Sequence, residues 1–251
     1  MLEEYKMDVC GLSEVRWRGS GKEKIGKYTL FYSGSAKGGE YGVGIAINDR
    51  YVGNVSAWEP VNDRIMWLRF NSKNVATTIV QCYAPHEERS KKEKDEFYAC
   101  LNDVVRKVPG RDLLIIMGDF NARVGNDYTT WSRSIGKYGA PEEVNDNGFR
   151  LLEFCVTHDL GVTGTYFQHK KIHMYTWYQR GTQFRSQIDH ILVRRRWLST
   201  VSDTRVYRGA EFSNSDHRLV VSTMQIHLSL KRKTLQMIPD LARLAQTDKR
   251  L

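Results

Sequence analysis

LLIIMGDFNARVG, residues 113–125, joins two kinds of sequence. Leu113 to Met117 is an unbroken apolar run, the composition of a strand buried on both faces. The run stops at Asp119 and Asn121, with only Phe120 between them. Alternation along a strand predicts both polar side chains on one side of the sheet. Two readings stay open for the segment alone. Asp and Asn can bond local backbone where a strand ends, as in an Asx turn, or they can be functional groups held on a rigid post.

The pattern recurs. DVCGLSE brings Glu14 to the end of an apolar strand, and IVQCYAPH brings Tyr83 and then His86. QIDHILV carries Asp189 at its start, and NSDHRLVV sets Asp216 and His217 just before another strand. Acids, an amide, a tyrosine and a histidine are thus expected along one rim. Clustered carboxylates repel, so they require a cation or raised pKa values. Oxygen ligands without a Cys/His set favour Mg²⁺, or Mn²⁺, over zinc.

Working outward, short β patterns dominate: 8–14, 28–33, 41–47, 64–70, 75–84, 112–118, 174–179, 187–193 and 218–228, separated by Gly-rich or polar turns. Two helices interrupt them. Residues 90–108 open with Ser90 and Glu93, a capping box, and space Phe97, Leu101, Val104, Val105 and Val108 on one face. Residues 147–158 form the second, with Phe149, Leu152 and Val156 expected inward, and a third, short helix is expected to start the chain. The elements predict an α+β fold, a four-layer α/β sandwich of two mainly antiparallel sheets flanked by helices. The domain is expected over 1–228, with 229–251 a basic tail or linker holding Lys231, Arg232 and Lys233.

The 251 residues suit one large domain, and 41% hydrophobic composition supports a sizeable core. A formal charge of +9 favours a polyanionic partner, nucleic acid first and an anionic membrane second. Cys10, Cys82, Cys100 and Cys155 form no C-x-x-C pair, and each sits in an apolar strand or helix pattern, so neither disulfides nor zinc are expected. No apolar run approaches the ~20 residues of a membrane span, and the N-terminus has no signal-peptide pattern. The expectation is an intracellular protein, nuclear or cytoplasmic, neither secreted nor membrane-bound, with no obligate protein partner.

Together GLSE, YAP, MGDFN, IDH and SDH resemble the endonuclease/exonuclease/phosphatase family, including exonuclease III-like apurinic endonucleases. CGLSEVRWRGSG, QCYAPH, MGDFNARVG, NDNGFRLLEFC and NSDHRLV look more narrowly like the endonuclease domain of RTE-type (BovB-like) non-LTR retrotransposons and the craniofacial development protein 2-like sequences that descend from it. The resemblance covers roughly residues 1–228, and five motifs in family order make it specific. It implies a Mg²⁺-dependent phosphodiesterase acting on DNA, by target-site nicking or apurinic-type cleavage. Glu14 would bind the metal with Asp216 near the same ion. Asp119 would orient or deprotonate the attacking water, and Asn121 would hold that water or the phosphate. His217 would contact a non-bridging phosphate oxygen, with Asp189 fixing its ring, and Tyr83 would help bind the phosphate or leaving group. The family opens with an apolar strand ending in an active-site Asn; this sequence starts after it, so that strand is expected to be absent. His86 stands where many apurinic endonucleases have Asn, so phosphate contacts there are expected to differ.

The region 166–185 interleaves Lys170, Lys171, Arg180 and Arg185 with Tyr175, Trp177 and Tyr178, which suits a DNA backbone or an unstacked base, or else a cationic hairpin packed on the sheet. Trp177, His86, Arg123, Lys170 and Lys171 are the substrate-binding candidates, with Trp177 also expected to support core or site. Arg194, Arg195 and Arg196 are expected in a solvated turn, and His158, His169 and His173 at the surface. Two other functions remain open: an RNA or small-molecule phosphoesterase of the same fold, and a catalytically impaired copy that binds nucleic acid without cutting.

Overall fold

The computed structural model describes residues 2–72, 75–211 and 215–225. The expected tail lies outside the described residues. The chain first makes β1 (Val9–Ser13), β2 (Ser20–Ile25), β3 (Tyr28–Ser33) and β4 (Val43–Asn48), an antiparallel sheet in the order β1-β4-β3-β2. One helical turn, α1 (Asp49–Val52), leads into a meander of β5 (Val55–Pro60), β6 (Ile65–Phe70) and β7 (Thr77–Tyr83). Helix α2 (Lys91–Lys107) crosses over to β8 (Leu113–Asp119), which lies parallel to β7. Then come α3 (Tyr128–Trp131), α4 (Asp146–His158), β9 (Leu160–Val162), a small hairpin of β10 (Trp177–Tyr178) and β11 (Arg185–Ser186), and β12 (Asp189–Arg194). The second sheet runs β5-β6-β7-β8-β12-β9, with β7–β8 its one parallel pair. The last two strands, β13 (Val201–Glu211) and β14 (Arg218–Met224), form a two-stranded sheet, and Arg218 N also donates to the Thr176 carbonyl.

The two larger sheets pack face to face through Phe31, Ile45 and Ile47 against Met66, Leu68 and Ile79. On the far face of the six-stranded sheet, α2 and α4 seat Phe97, Leu101, Leu152 and Phe154 on Val80, Ile116 and Leu192. The arrangement is the expected α+β sandwich. It also explains the apolar run in β8: Leu114 and Ile116 face the helices, while Ile115 and Met117 face the smaller sheet. Full burial of such a side chain contributes about 1.5–3 kcal/mol.

The capping box forms as read, with Ser90 Oγ accepting from Glu93 N and the Glu93 carboxylate from Ser90 N. Helix α4 sits in a different phase from the one its hydrophobic residues suggest. Phe149 is 50% and Val156 38% exposed, while Asn147, Gly148, Leu151, Leu152, Phe154 and Cys155 turn inward. A Cβ on Gly148 would collide with the Arg123 carbonyl, so close approach of backbone, not side-chain size, sets that face. Residues 2–6 are turns, not the expected helix, and Leu2, Tyr5 and Met7 pack beneath β14. The cysteines are all free; Cys10, Cys82 and Cys155 are buried and Cys100 half-buried.

Candidate active site

Strand register builds the site. Tyr83 lies opposite Asp119 in the parallel β7–β8 ladder, and Asp119 opposite Asp189 in the antiparallel β8–β12 ladder. Residues in one row across neighbouring strands share a face, so the three side chains stand side by side. Gly118, at φ 149°, permits this: a Cβ there would run into the Cys82 carbonyl and push β8 off β7 just before Asp119. His217, from the turn before β14, closes the row. Its Nδ1 lies 2.9 Å from Asp189 Oδ2, and its Nε2 4.0 Å from Asp119 Oδ2. With Nδ1 taken, Nε2 is left to donate elsewhere.

Glu14 follows β1 in the left-handed region, φ 57°. Its Oε1 accepts from the Tyr83 hydroxyl at 2.7 Å and its Oε2 from Arg16 at 2.6 Å. Since the Tyr83 hydrogen goes to a carboxylate, its oxygen accepts from His86 Nε2 at 3.1 Å. Arg64 stacks 3.8 Å from the Tyr41 ring centroid, also reaches the Tyr83 ring, and donates to the Tyr83 carbonyl.

Asn121 is not part of the strand. At φ 48° it has left the alternation, and its N–H donates to Asp119 Oδ1 at 2.9 Å, so the Asx turn and the functional cluster coexist. Its Nδ2 donates to the Ala84 carbonyl. A brace that sequence reasoning missed holds this turn. Asn145, the N-cap of α4, and buried Asn147 both donate from Nδ2 to the Asn121 carbonyl. Glu87 accepts from Asn145 Nδ2 and from the backbone of Asp146 and Asn147. The only cue was N-D-N-G before an apolar run, an N-cap signature; the partner across 24 residues was invisible.

Asp216 is exposed and accepts at Oδ2 from Trp177 Nε1, 2.8 Å away. Trp177 stacks edge-on against Phe184 and thus supports the rim. Arg123 is half-buried, its charge acting on Glu142. Lys170 and Lys171 are exposed at a 3-10 turn against β13 and bond to no member of the cluster. The arginine triplet ends β12 and opens a 3-10 turn, with Arg196 exposed and Arg194 and Arg195 half-buried, and it is tied to backbone: Arg194 donates to the Pro109 carbonyl, Arg195 to that of Arg133, and Arg196 to that of Gly110. The three histidines, expected at the surface, are half-buried. His158 bonds Asn102, His169 bonds Asp203, and His173 bonds the Val206 carbonyl.

Burial pushes the Asp119 carboxyl up to about 8, helped by the negative Asp189 beside it. Burial works against a charged His217, but the charge and hydrogen bond of Asp189 outweigh it and hold the imidazole up to about 10. Burial also opposes charge on Glu14, yet the Tyr83 and Arg16 bonds keep its carboxyl below the usual range. Burial, then Glu14, raises the Tyr83 hydroxyl, so it remains a donor. Carboxylates outnumber the positive groups His217 and Arg16 here, a balance that fits a hard divalent cation. Carboxylate oxygens of Asp119 and Asp189 lie within 4.8 Å of each other, and a cation there would offset the burial and the Asp189 charge that raise Asp119.

The model of the endonuclease/exonuclease/phosphatase family matches residues 1–217. Craniofacial development protein 2 of Bos taurus is 32% identical over 233 residues, which are 93% of this chain and 39% of that protein. This chain therefore spans about two fifths of that relative. Among solved structures, the 3′ phosphatase NExo from Neisseria, bound to a product DNA hairpin, superposes with TM-score 0.67 at 18% identity, covering 90% of this chain and 91% of its own. The endonuclease domain of TRAS1, a telomere-specific non-LTR retrotransposon, superposes with TM-score 0.62 at 18% identity, covering 90% of each. At such identities the likeness speaks for the fold.

Proposed function

This chain belongs to the endonuclease/exonuclease/phosphatase family, and on that premise we propose that it is a divalent-cation-dependent DNA endonuclease of retrotransposon origin. The observation that carries the reading is the row Tyr83, Asp119, Asp189 closed by His217. Asp119 orients water at the phosphorus and takes up its proton, the role of a carboxylate general base. Asn121, fixed by its brace, holds that water or the phosphate. His217 donates from Nε2 to a non-bridging oxygen as charge builds, with Asp189 setting the ring and its tautomer. Tyr83, His86 and the Arg64 stack lie on the side where the phosphate and leaving group bind. Glu14 and Asp216 line the same groove as Asp119 and would hold the metal beside that carboxylate, Asp216 through the oxygen that Trp177 leaves. Bound there, Mg²⁺ or Mn²⁺ supplies positive charge to offset that on the phosphoryl oxygens.

DNA is favoured as substrate by the charge of +9 and by the DNA hairpin bound to the Neisseria phosphatase. Retrotransposon origin is favoured by the likeness to TRAS1 together with the RTE-like wording of five motifs. Purified protein is expected to convert supercoiled plasmid to open circle with Mg²⁺ or Mn²⁺ and to stop in EDTA. Asp119→Ala and His217→Ala should each lower the rate by on the order of 10²–10⁴ while DNA binding largely survives. Nicking that ignores EDTA removes the metal role, and a variant with normal turnover removes that residue. Preference for RNA or a phosphoinositide in competition overturns the substrate.

A further inference from the structure

The end of the molecule opposite the row gathers cations. Strands β7 and β8 run toward the row and β12 runs away from it, so Asp189 opens β12 and Arg194 closes it. The length of β8, from Leu113 to Asp119, sets the two ends roughly 20 Å apart. Helices α2 and α4 start near the row and finish at this far pole, where Leu160 pairs with Arg194. Arg106 and Arg111 stand exposed there, on the last turn of α2 and on the loop behind it. Arg194 donates to the Val108 and Pro109 carbonyls and Arg196 to that of Gly110, so both guanidinium groups are held against the same loop.

Helix ends explain only part of this charge. A helix C-terminus carries about half a negative charge, so the ends of α2 and α4 together balance one arginine and leave the others. The nearby acids are already engaged. Buried Asp112 accepts from Arg69 and Thr78, and Asp159 is shared by Arg133 and Arg195. Asp103 is offset by Lys107, both of them acting on Cys100. Two groups register the excess. His158 lies with Nε2 2.8 Å from Asn102 Oδ1 and its ring 4.6 Å from that of Phe154. Burial holds its imidazole below the ordinary 6.5, and the charges of Arg106 and Arg194 push it the same way. Arg194 is lowered by burial and, against the pull of Asp112, by Arg196. Cations that depress one another's proton affinity are short of anions.

We propose that this far pole is a second nucleic-acid site, at which Arg106, Arg111, Arg194 and Arg196 hold the phosphate backbone of duplex DNA without cutting it. The choice of DNA rests on the function proposed above. Duplex is favoured over single strand by its charge density, one negative charge per roughly 1.7 Å of axis. Binding of single strands relies on aromatic faces open to bases. The aromatic at hand, Trp197, has Arg196 over its ring at 5.2 Å from the centroid, and its Nε1 donates to the Asp112 carbonyl. Contacts to phosphate alone carry no sequence information, so the pole is indifferent to sequence. A duplex at the row meets the rim, and the length of β8 keeps it from the pole, so the duplex held here is a second segment. One protein thereby joins two segments, and each raises the local concentration of the other.

The test uses the full 251-residue protein in EDTA, so that binding is read without cutting. A short duplex is fixed to a surface and saturated with protein, and capture of a second, labelled duplex is measured. Wild type should capture it. The double variant Arg106→Glu, Arg111→Glu should still load onto the first duplex but capture the second at least about tenfold less. Both residues are exposed, and the loop carbonyls are held by Arg194 and Arg196 instead, so the fold is spared. His158 gives a reading that needs no variant. An anion nearby favours the charged ring, so its pKa, followed by NMR, should rise by at least about 0.5 with excess duplex. Four results overturn the proposal. Wild type captures no second duplex, or the double variant captures as much, which means self-association or a second contact at the rim. His158 is unmoved at saturation, or labelled single-stranded RNA is captured in preference. Failure to nick in Mg²⁺ would overturn the function proposed above and leave capture as measured, and loss of capture leaves nicking as measured.

Discussion

Asp112 and Asp119 are buried carboxylates at the two ends of β8, with opposite surroundings. Asp112 accepts from Arg69 Nε at 2.7 Å, Arg69 Nη2 at 3.1 Å and Thr78 Oγ1 at 2.9 Å. Burial alone would raise its carboxyl, but these bonds hold it below its ordinary 3.8. Asp119 accepts no bond from a guanidinium among the described residues; its cation is His217, 4.0 Å from Oδ2, and it faces Asp189. The first is a structural acid and the second a poised one. Removing one partner of a buried pair typically costs 3–5 kcal/mol, so Asp112→Ala should lower stability on the order of 3 kcal/mol. The sign with pH is fixed by the direction of the shift. A carboxyl depressed on folding contributes stability above its unfolded value and loses it as pH falls through the folded one. Urea unfolding followed from pH 6 to pH 3 should therefore show the gap between wild type and Asp112→Ala constant at first and closing below about 3.8. A gap independent of pH would mean that the loss is one of packing.

At the scale of elements, what could be read from sequence was what local chemistry decides. Helix α2 declared itself through Ser90 and Glu93, and β8 through its apolar run. Strand β2, SGKEKI, was not legible, because all of it but Gly21 is exposed and its charges guard an edge instead of filling a core. Strand β13 was missed for a similar reason, its polar residues interrupting the run. The phase of α4 was misread because Asn147 and Gly148 are core positions by virtue of hydrogen bonding and close approach, which hydrophobicity does not register. In the site, residues at strand ends could be picked out, whereas the brace of Asn145, Glu87 and Asn147 depends on folding that brings distant segments together. Asn145 accepts from Gly148 N and Arg123 N while donating to Asn121 and Glu87. Replacing an N-cap residue by Ala costs about 0.5–2 kcal/mol. Asn145→Ala should sit at the upper end of that range and should also slow nicking. Asn145→Asp keeps the cap acceptor but loses the donors to Asn121, so it should retain more stability than activity. Thermal unfolding measured beside nicking rates decides; equal loss of both in the two variants would reduce Asn145 to a cap.

For the molecule as a whole, the charge of +9 sets how it meets a polyanion. Affinity for DNA should fall steeply with salt, by a slope of about 0.9 in logarithmic terms per phosphate neutralised. Lys170 and Lys171 make the footprint testable. Lys171→Ala should reduce the slope by about one if that ammonium meets a phosphate, and an unchanged slope over a salt titration would strike it from the interface. The row of Tyr83, Asp119 and Asp189 also governs what the gene can tolerate. Because the row exists only by register, the loss or gain of a single codon within β7, β8 or β12 turns one partner to the helix-covered face. Such an event disarms the site even when every motif is still spelled correctly. Insertions confined to the loops between these strands leave the row aligned. A short in-frame indel within these strands would therefore abolish the site in a way that a motif search does not notice.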